Sequence, residues 1–92
     1  MSFIEVKNKR GTSDRKPTDG SSSWLEFWEN KQGKKASKCR VLFCDQKAEV
    51  GGHVYIVGAG SKEYILPMCK SCNNKPDDTT FKAWDSDLVP VT

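Results

Sequence analysis

Four cysteines lie in two close pairs, and this pattern constrains the fold more than any other feature of the chain. Cys39 and Cys44 form a C-x4-C pair, and Cys69 and Cys72 form a C-x2-C pair. One pair binds an ion from a tight turn, and a second pair reaches the same ion from the first turn of a helix. The pattern therefore predicts one structural zinc ion held by four thiolates.

Other interpretations of the four cysteines stay open at the level of sequence. They could form two disulfides or remain free thiols, and soft thiolate ligands in tetrahedral geometry also suit iron. Size and composition favour a metal, because a chain of 92 residues with 36% hydrophobic residues has little material for a core. A structural metal contributes directly to the stability of such a fold.

The cellular setting follows from what the sequence lacks. The first ten residues, MSFIEVKNKR, have no apolar core of a signal peptide, and no apolar run approaches the ~20 residues of a membrane span. We therefore expect a cytoplasmic monomer with no membrane partner. In that reducing setting, paired cysteines bind metal more often than they form disulfides.

The chain is predicted to form a single α+β domain over residues 1–92. Short terminal strands are expected at residues 3–6 and 88–91, and we expect them to pair with each other. Residues 8–23 contain proline, glycines and few apolar side chains, which is typical of a flexible loop.

A short aromatic helix is predicted over residues 24–32. Ser23 and Glu26 have the spacing of a capping box, and Gly33 marks the end of the helix. Trp24 and Trp28 share one helical face. We expect these side chains to be core and the helix to form a lid on the zinc module.

A β-hairpin is predicted between the two cysteine pairs. Apolar residues over 48–57 indicate one strand, with a bend or bulge at Gly51-Gly52, and residues 64–66 indicate the returning strand. Pro67 is expected to end that strand before a short helix begins at Cys69. This order of zinc knuckle, hairpin and helix resembles the treble-clef zinc finger over residues 39–76.

Two segments of this span resemble the HNH (His-Asn-His) endonuclease version of the treble clef. They are residues 52–54, GHV, and residues 68–75, MCKSCNNK. The resemblance implies that His53 is a general base and that Asn73 helps to hold a divalent ion at a phosphate. The chain departs from the family pattern at Gly52, where the family has an acid, and it has no second histidine.

These departures make the resemblance stronger for fold than for activity. His53 therefore has four interpretations: a structural histidine, a nuclease base, a zinc ligand in place of one cysteine, or part of a binding surface. More of the chain, including residues 8–13, 23–28 and 48–54, resembles small bacterial proteins of unassigned function. That wider resemblance implies no activity.

The net charge of +3 permits contact with nucleic acid without requiring it. The basic residues that we expect to contact phosphates are Lys34, Lys35, Lys38, Arg40, Lys70 and Lys75. An alternative is that they form an ordinary solvated face. The sequence thus favours a zinc-binding module that contacts nucleic acid or protein, with an HNH-like nuclease or a structural adaptor as alternatives.

Overall fold

A computed structural model describes residues 2–9, 16–76 and 78–91 of the chain. The strands are β1 (Phe3–Asn8), β2 (Val50–Ile56), β3 (Glu63–Met68), β4 (Thr80–Trp84) and β5 (Val89–Pro90). The helices are α1 (Trp24–Gln32) and the single-turn α2 (Lys70–Asn73), and a 3-10 turn covers Asp85–Asp87. The domain is therefore α+β, as the sequence predicts. Among the described residues, no helix has the length and apolar character needed to cross a membrane.

The five strands form one antiparallel sheet in the order β4-β1-β2-β3-β5. In β1, Val6 lies opposite Ile56 of β2 on one side and Phe81 of β4 on the other. The predicted pairing of residues 3–6 with residues 88–91 is therefore wrong. β5 pairs with β3 instead, and the second partner of β1 is β4, a segment for which the sequence predicts no strand.

Each face of the sheet carries its own hydrophobic core, because alternate strand residues point to opposite sides. On one side, which we call the cysteine face, buried residues of the sheet pack with Cys39, Cys69 and Cys72. On the other side, the helix face, Phe27 and Trp28 of α1 pack with Ile65 and Val89. α1 therefore packs on β2 and β3, within the predicted zinc module of residues 39–76, but on the side of the sheet opposite the cysteines.

Local sequence accounts for both ends of α1. The Ser23 hydroxyl accepts a hydrogen bond from the Glu26 backbone N–H at 3.1 Å, which satisfies a donor that the first turn leaves open. The Glu26 carboxylate accepts hydrogen bonds from Ser22 rather than from the Ser23 backbone that a complete capping box would use. Gly33 ends the helix with a φ of 71°, a left-handed conformation that favours glycine.

The β2–β3 hairpin is regular where the sequence predicts interruptions. Gly51 lies opposite Pro67 and Gly52 lies opposite Leu66 with no inserted residue, so the predicted bulge is absent from this described pair of strands. Pro67 lies within β3 rather than after it. β5 pairs with an earlier part of β3, and the Pro67 carbonyl accepts a hydrogen bond from the Arg40 N–H at 2.8 Å. Proline has no backbone N–H, and no neighbouring strand requires one at this position.

The segment between β1 and α1 differs slightly from the predicted loop over residues 8–23. Asn8 belongs to β1 and lies opposite Val54, so the loop starts one residue later. Residues 10–15 lie outside the described part of the chain. Residues 16–23 contain no helix or strand, and their flexibility stays a prediction.

Candidate metal centre

Four cysteine side chains converge on the cysteine face. Cys39 and Cys44 lie in the loop before β2, Cys69 is the N-cap residue of α2, and Cys72 lies within that helix. Their four Sγ atoms all lie within 4.8 Å of one another. In the part of the chain that the structure describes, this is the one group of three or more histidine, cysteine or acidic side chains arranged to hold a metal ion. His53 lies outside the group.

The sulfur spacing fits a tetrahedral metal ion. A tetrahedron with Zn–S bonds of about 2.3 Å has sulfur–sulfur edges of about 3.8 Å. The Sγ atoms of Cys44 and Cys69 are 3.9 Å apart. A disulfide requires about 2.05 Å, and all four cysteines are free thiols. The cluster is therefore suited to one metal ion, and a set of four sulfur donors suits zinc or iron.

Three of the thiols, those of Cys39, Cys69 and Cys72, have pKa values shifted in different directions by their surroundings. Burial raises the pKa of Cys39. Burial, together with hydrogen bonding to Cys69, also raises the pKa of Cys72. Burial acts in the same direction on Cys69, but the Cys72 backbone N–H, 3.4 Å from the Cys69 Sγ, and the other thiols hold the Cys69 pKa below its usual value. Cys69 is thus more ready to ionise than Cys39 or Cys72, and a metal cation would displace the protons of these two thiols.

Backbone hydrogen bonds position the first pair of cysteines. The loop that carries them is attached both to its own far end and to two strands of the sheet. Three bonds of 2.8 Å make these connections: Cys39 N–H to Gln46 O, Arg40 N–H to Pro67 O of β3, and Leu42 N–H to Lys82 O of β4. In the folded domain, these bonds to β3 and β4 therefore fix where Cys39 and Cys44 lie.

Asn8 positions the second pair of cysteines, and the sequence analysis does not identify it. Its side chain is 3% exposed, and its Nδ2 donates hydrogen bonds to three backbone carbonyls at and beyond the end of α2. The acceptors are Cys72 O at 2.9 Å, Lys75 O at 3.2 Å and Asn73 O at 3.3 Å. Alternation from Val6 along β1 would have placed Asn8 on the same face, but no local pattern indicates its partners 64 to 67 residues away.

His53 lies on the helix face of β2 and lines a cavity. It is 4% exposed, and its ring packs edge-on against Trp24 with 4.6 Å between the ring centres. The cavity has a volume of about 430 Å³, and its lining also includes Glu49 and Asn73. The structure thus brings His53 and Asn73, the two residues that the nuclease resemblance indicates, to one cavity.

Two glycines allow the close approach of chain segments at this cavity. A Cβ on Gly51 would lie 2.5 Å from the backbone N of Leu25, where α1 begins. A Cβ on Gly52 would lie 2.6 Å from Asn73 Oδ1 and would also meet the end of Met68. An acidic side chain at position 52, as in the nuclease pattern, would therefore displace Asn73.

The basic residues that the sequence indicates lie in three segments. They are Lys34 and Lys35 after α1, Lys38 and Arg40 at the cysteine loop, and Lys70 and Lys75 in or after α2. Lys35 lies 3.8 Å from Glu29 and is 91% exposed, and Lys70 lies 3.9 Å from Glu49 and is 74% exposed. Such exposed ion pairs are weak, so both lysines stay accessible to another anion.

Arg40 differs from the lysines because its side chain packs inside the domain. The side chain is 26% exposed, and its guanidinium lies 3.9 Å from the Asp87 carboxylate and 5.5 Å from the centre of the Trp28 ring. Trp28 in turn donates a hydrogen bond from Nε1 to the Asp87 carbonyl at 2.7 Å. These contacts connect the cysteine loop to α1 and to the 3-10 turn, so Arg40 has a structural role.

Comparison with family models, with curated proteins and with solved structures gave no match to this chain. The class of protein is therefore assigned from the fold and the cysteine site alone. The chain is a small α+β domain whose four clustered cysteines are suited to binding one metal ion.

Proposed function

We propose that this chain is a treble-clef-like domain stabilised by one structural zinc ion and that it serves as a nucleic-acid-binding module. The observation that carries the zinc part is the convergence of four Sγ atoms within 4.8 Å. The order of elements supports the treble-clef part, since a cysteine loop, the β2–β3 hairpin and α2 follow one another.

The proposed zinc ion has a structural role because the protein supplies all four of its ligands. A catalytic zinc site keeps a coordination position open for water or substrate, whereas a closed four-thiolate site does not. A bound zinc ion would hold the cysteine loop and α2 together across the cysteine face. It would thereby add stability to a small domain.

The test of the zinc site combines metal analysis with a matched pair of variants. We expect one zinc ion per chain by elemental analysis and its loss in Cys69→Ser, which should also unfold at a much lower denaturant concentration. Ser71→Ala, an exposed change on the same helix, should retain the metal and the stability. Full metal content and unchanged stability in Cys69→Ser would contradict the proposal.

The nucleic-acid part of the proposal rests on the exposed lysines. Lys35 and Lys70 are mostly exposed, and Lys34 and Lys38 are exposed as well. Lysines of this kind bind phosphates without sequence preference, and the affinity falls steeply as salt rises. We expect a labelled single-stranded oligonucleotide to bind at low ionic strength and to dissociate at higher salt. Absence of binding at low salt would refute this part.

One observation favours a second candidate, an HNH-like metal-dependent nuclease. His53 and Asn73 line the same cavity, and Glu49 supplies a carboxylate to its lining. A divalent ion bound there would polarise a phosphate, and His53 would accept a proton from water. Cleavage of plasmid DNA with magnesium or manganese should then be lost in His53→Ala. Equal background cleavage by the wild type and His53→Ala would eliminate this candidate.

A further inference from the structure

The tip of the cysteine loop carries a residue that its backbone conformation disfavours. The Cys44 N–H donates to the Val41 carbonyl at 3.0 Å, and this bond closes a four-residue turn. Phe43, the third residue of the turn, has a φ of 68°. A positive φ at this position is typical of a type II turn and favours glycine or asparagine. Among the described residues, Phe43 is the one non-glycine residue with a positive φ.

The exposure of Phe43 removes the usual reason for an aromatic residue in a strained position. Its side chain is 98% exposed, so it gains little from packing within the domain. A disfavoured conformation that burial does not offset points to a role outside folding. Glycine or asparagine would fit the turn better, and neither would present an apolar ring to solvent.

Phe43 belongs to a row of aromatic side chains at the β4 end of the sheet. Phe43 and Trp84 line one shallow cleft of about 230 Å³. The Trp84 ring stacks on Phe3, with 4.2 Å between ring centres and an angle of 34° between the planes. Phe3 is 54% exposed. We call Phe3, Trp84 and Phe43 the aromatic strip.

Three exposed lysines belong to the cysteine loop and to β4, the two segments that carry Phe43 and Trp84. Lys38 also lines the cleft, and it pairs through its backbone with Lys47 at the base of the cysteine loop. Lys82 belongs to β4, and its carbonyl accepts the N–H of Leu42 in the same loop. All three lysines are exposed.

Two acids lie near the same loop. The cleft is lined by Asp87, whose carboxylate lies 3.9 Å from Arg40 and is therefore already countered. Exposed Asp45 follows the second cysteine of the loop. At the Phe3 end of the strip, exposed Glu5 lies opposite Lys82, and exposed Asp85 follows Trp84, so acids offset the lysine there. The excess of positive charge is therefore at the Phe43 end, where Lys38 and Lys47 outnumber Asp45, and this end suits a polyanion.

We propose that the Phe43 end of the aromatic strip binds single-stranded nucleic acid, with a base stacked on Phe43 and phosphates contacted by Lys38 and Lys47. Every base offers a flat face, so stacking on an exposed ring needs no particular sequence. The Phe43 end of the strip combines such a ring with lysines, which is the combination that single-strand-binding proteins use. The proposal rests on the nucleic-acid role above and assigns that role a surface.

The test compares two substitutions at Phe43 in the full zinc-loaded chain, using a short fluorescein-labelled oligothymidylate. Phe43→Asn suits the left-handed conformation and removes the ring, so it should weaken binding about tenfold or more while raising the denaturant midpoint. Phe43→Tyr keeps both the ring and the strain, so it should bind like the wild type. Lys38→Gln should reduce the dependence of affinity on salt.

The outcomes separate this proposal from the more general one. If the wild type binds the oligonucleotide and Phe43→Asn binds equally well, the aromatic strip is refuted while the nucleic-acid role stands. The ring would then be a candidate contact for a protein partner. If Phe43→Asn is less stable than the wild type, Phe43 serves folding and the proposal is overturned. If the wild type does not bind at low salt, the strip and the nucleic-acid role are both refuted.

Discussion

Replacing Asn8 with alanine tests whether this residue positions the second cysteine pair. Nδ2 has two hydrogens shared among three carbonyls, and each full hydrogen bond contributes about 1 kcal/mol net. Cys72 O retains the Lys75 N–H as a donor at 3.2 Å. Asn8 Oδ1 is buried and finds no hydrogen-bond partner among the described residues, so alanine also removes an unfavourable group. We expect Asn8→Ala to lose about 2 kcal/mol of unfolding free energy.

Two further substitutions sharpen the Asn8 experiment. Asn8→Asp keeps the size of the side chain but directs a carboxylate at the carbonyls that Nδ2 now serves, so it should destabilise more than alanine does. Asn30→Ala is the control, because the Asn30 side chain donates one exposed hydrogen bond to Ser21 Oγ at 3.0 Å. That exposed change should cost less than about 0.5 kcal/mol.

Urea unfolding followed by circular dichroism measures the stability of these variants in the zinc-loaded state. Competition with a chromophoric chelator measures their zinc affinity, which should fall in Asn8→Ala because the backbone around Cys72 is less well fixed. An Asn8→Ala protein with the urea midpoint and zinc affinity of Asn30→Ala would refute the positioning role of Asn8.

Three other predictions concern the cavity, the thiols and the metal. Gly51→Ala should destabilise the fold by about 1–3 kcal/mol, since its Cβ would meet the backbone of α1, whereas Ser71→Ala should be nearly neutral in the same urea titration. Zinc affinity should fall as pH falls, because protons compete with zinc for the thiols and burial already raises the pKa values of Cys39 and Cys72. A zinc affinity that does not change with pH would contradict four thiolate ligands. Chelation of the metal should abolish the near-ultraviolet circular dichroism of the tryptophans together with the far-ultraviolet circular dichroism of the backbone. A tryptophan signal that survives chelation would show that the helix face folds independently of the metal.

Local sequence patterns predict the elements whose causes are local. The spacing of the cysteines predicts their convergence, and Ser23 and Gly33 predict both ends of α1 because caps and left-handed ends depend on neighbouring residues. The hairpin follows from two apolar runs joined by a turn. These features require no knowledge of distant parts of the chain.

Long-range features of the fold could not be predicted in the same way. The pairing of β1 with β4 joins Phe3 to Trp84, and the five residues of β4 are too few for the alternation of Phe81 and Ala83 with polar residues to distinguish the strand from a loop. The three acceptors of Asn8 lie at and just after the end of α2, and their positions depend on the finished sheet. The surroundings of His53 depend on α1, which the sequence could not place on the opposite face from the cysteines.

The arrangement of the two cores explains why one metal site can stabilise the whole domain. Adjacent residues of β3 face opposite ways, with Ile65 packing under α1 and Leu66 packing with the cysteines. α1 has only nine residues, which is too short to be stable without a surface to pack on. Loss of the metal would release the support of the cysteine face, and the strands that α1 packs on would lose their order with it. We therefore expect the order of the helix face to depend on metal binding by the thiols, even though Trp28 lies on the other side of the sheet.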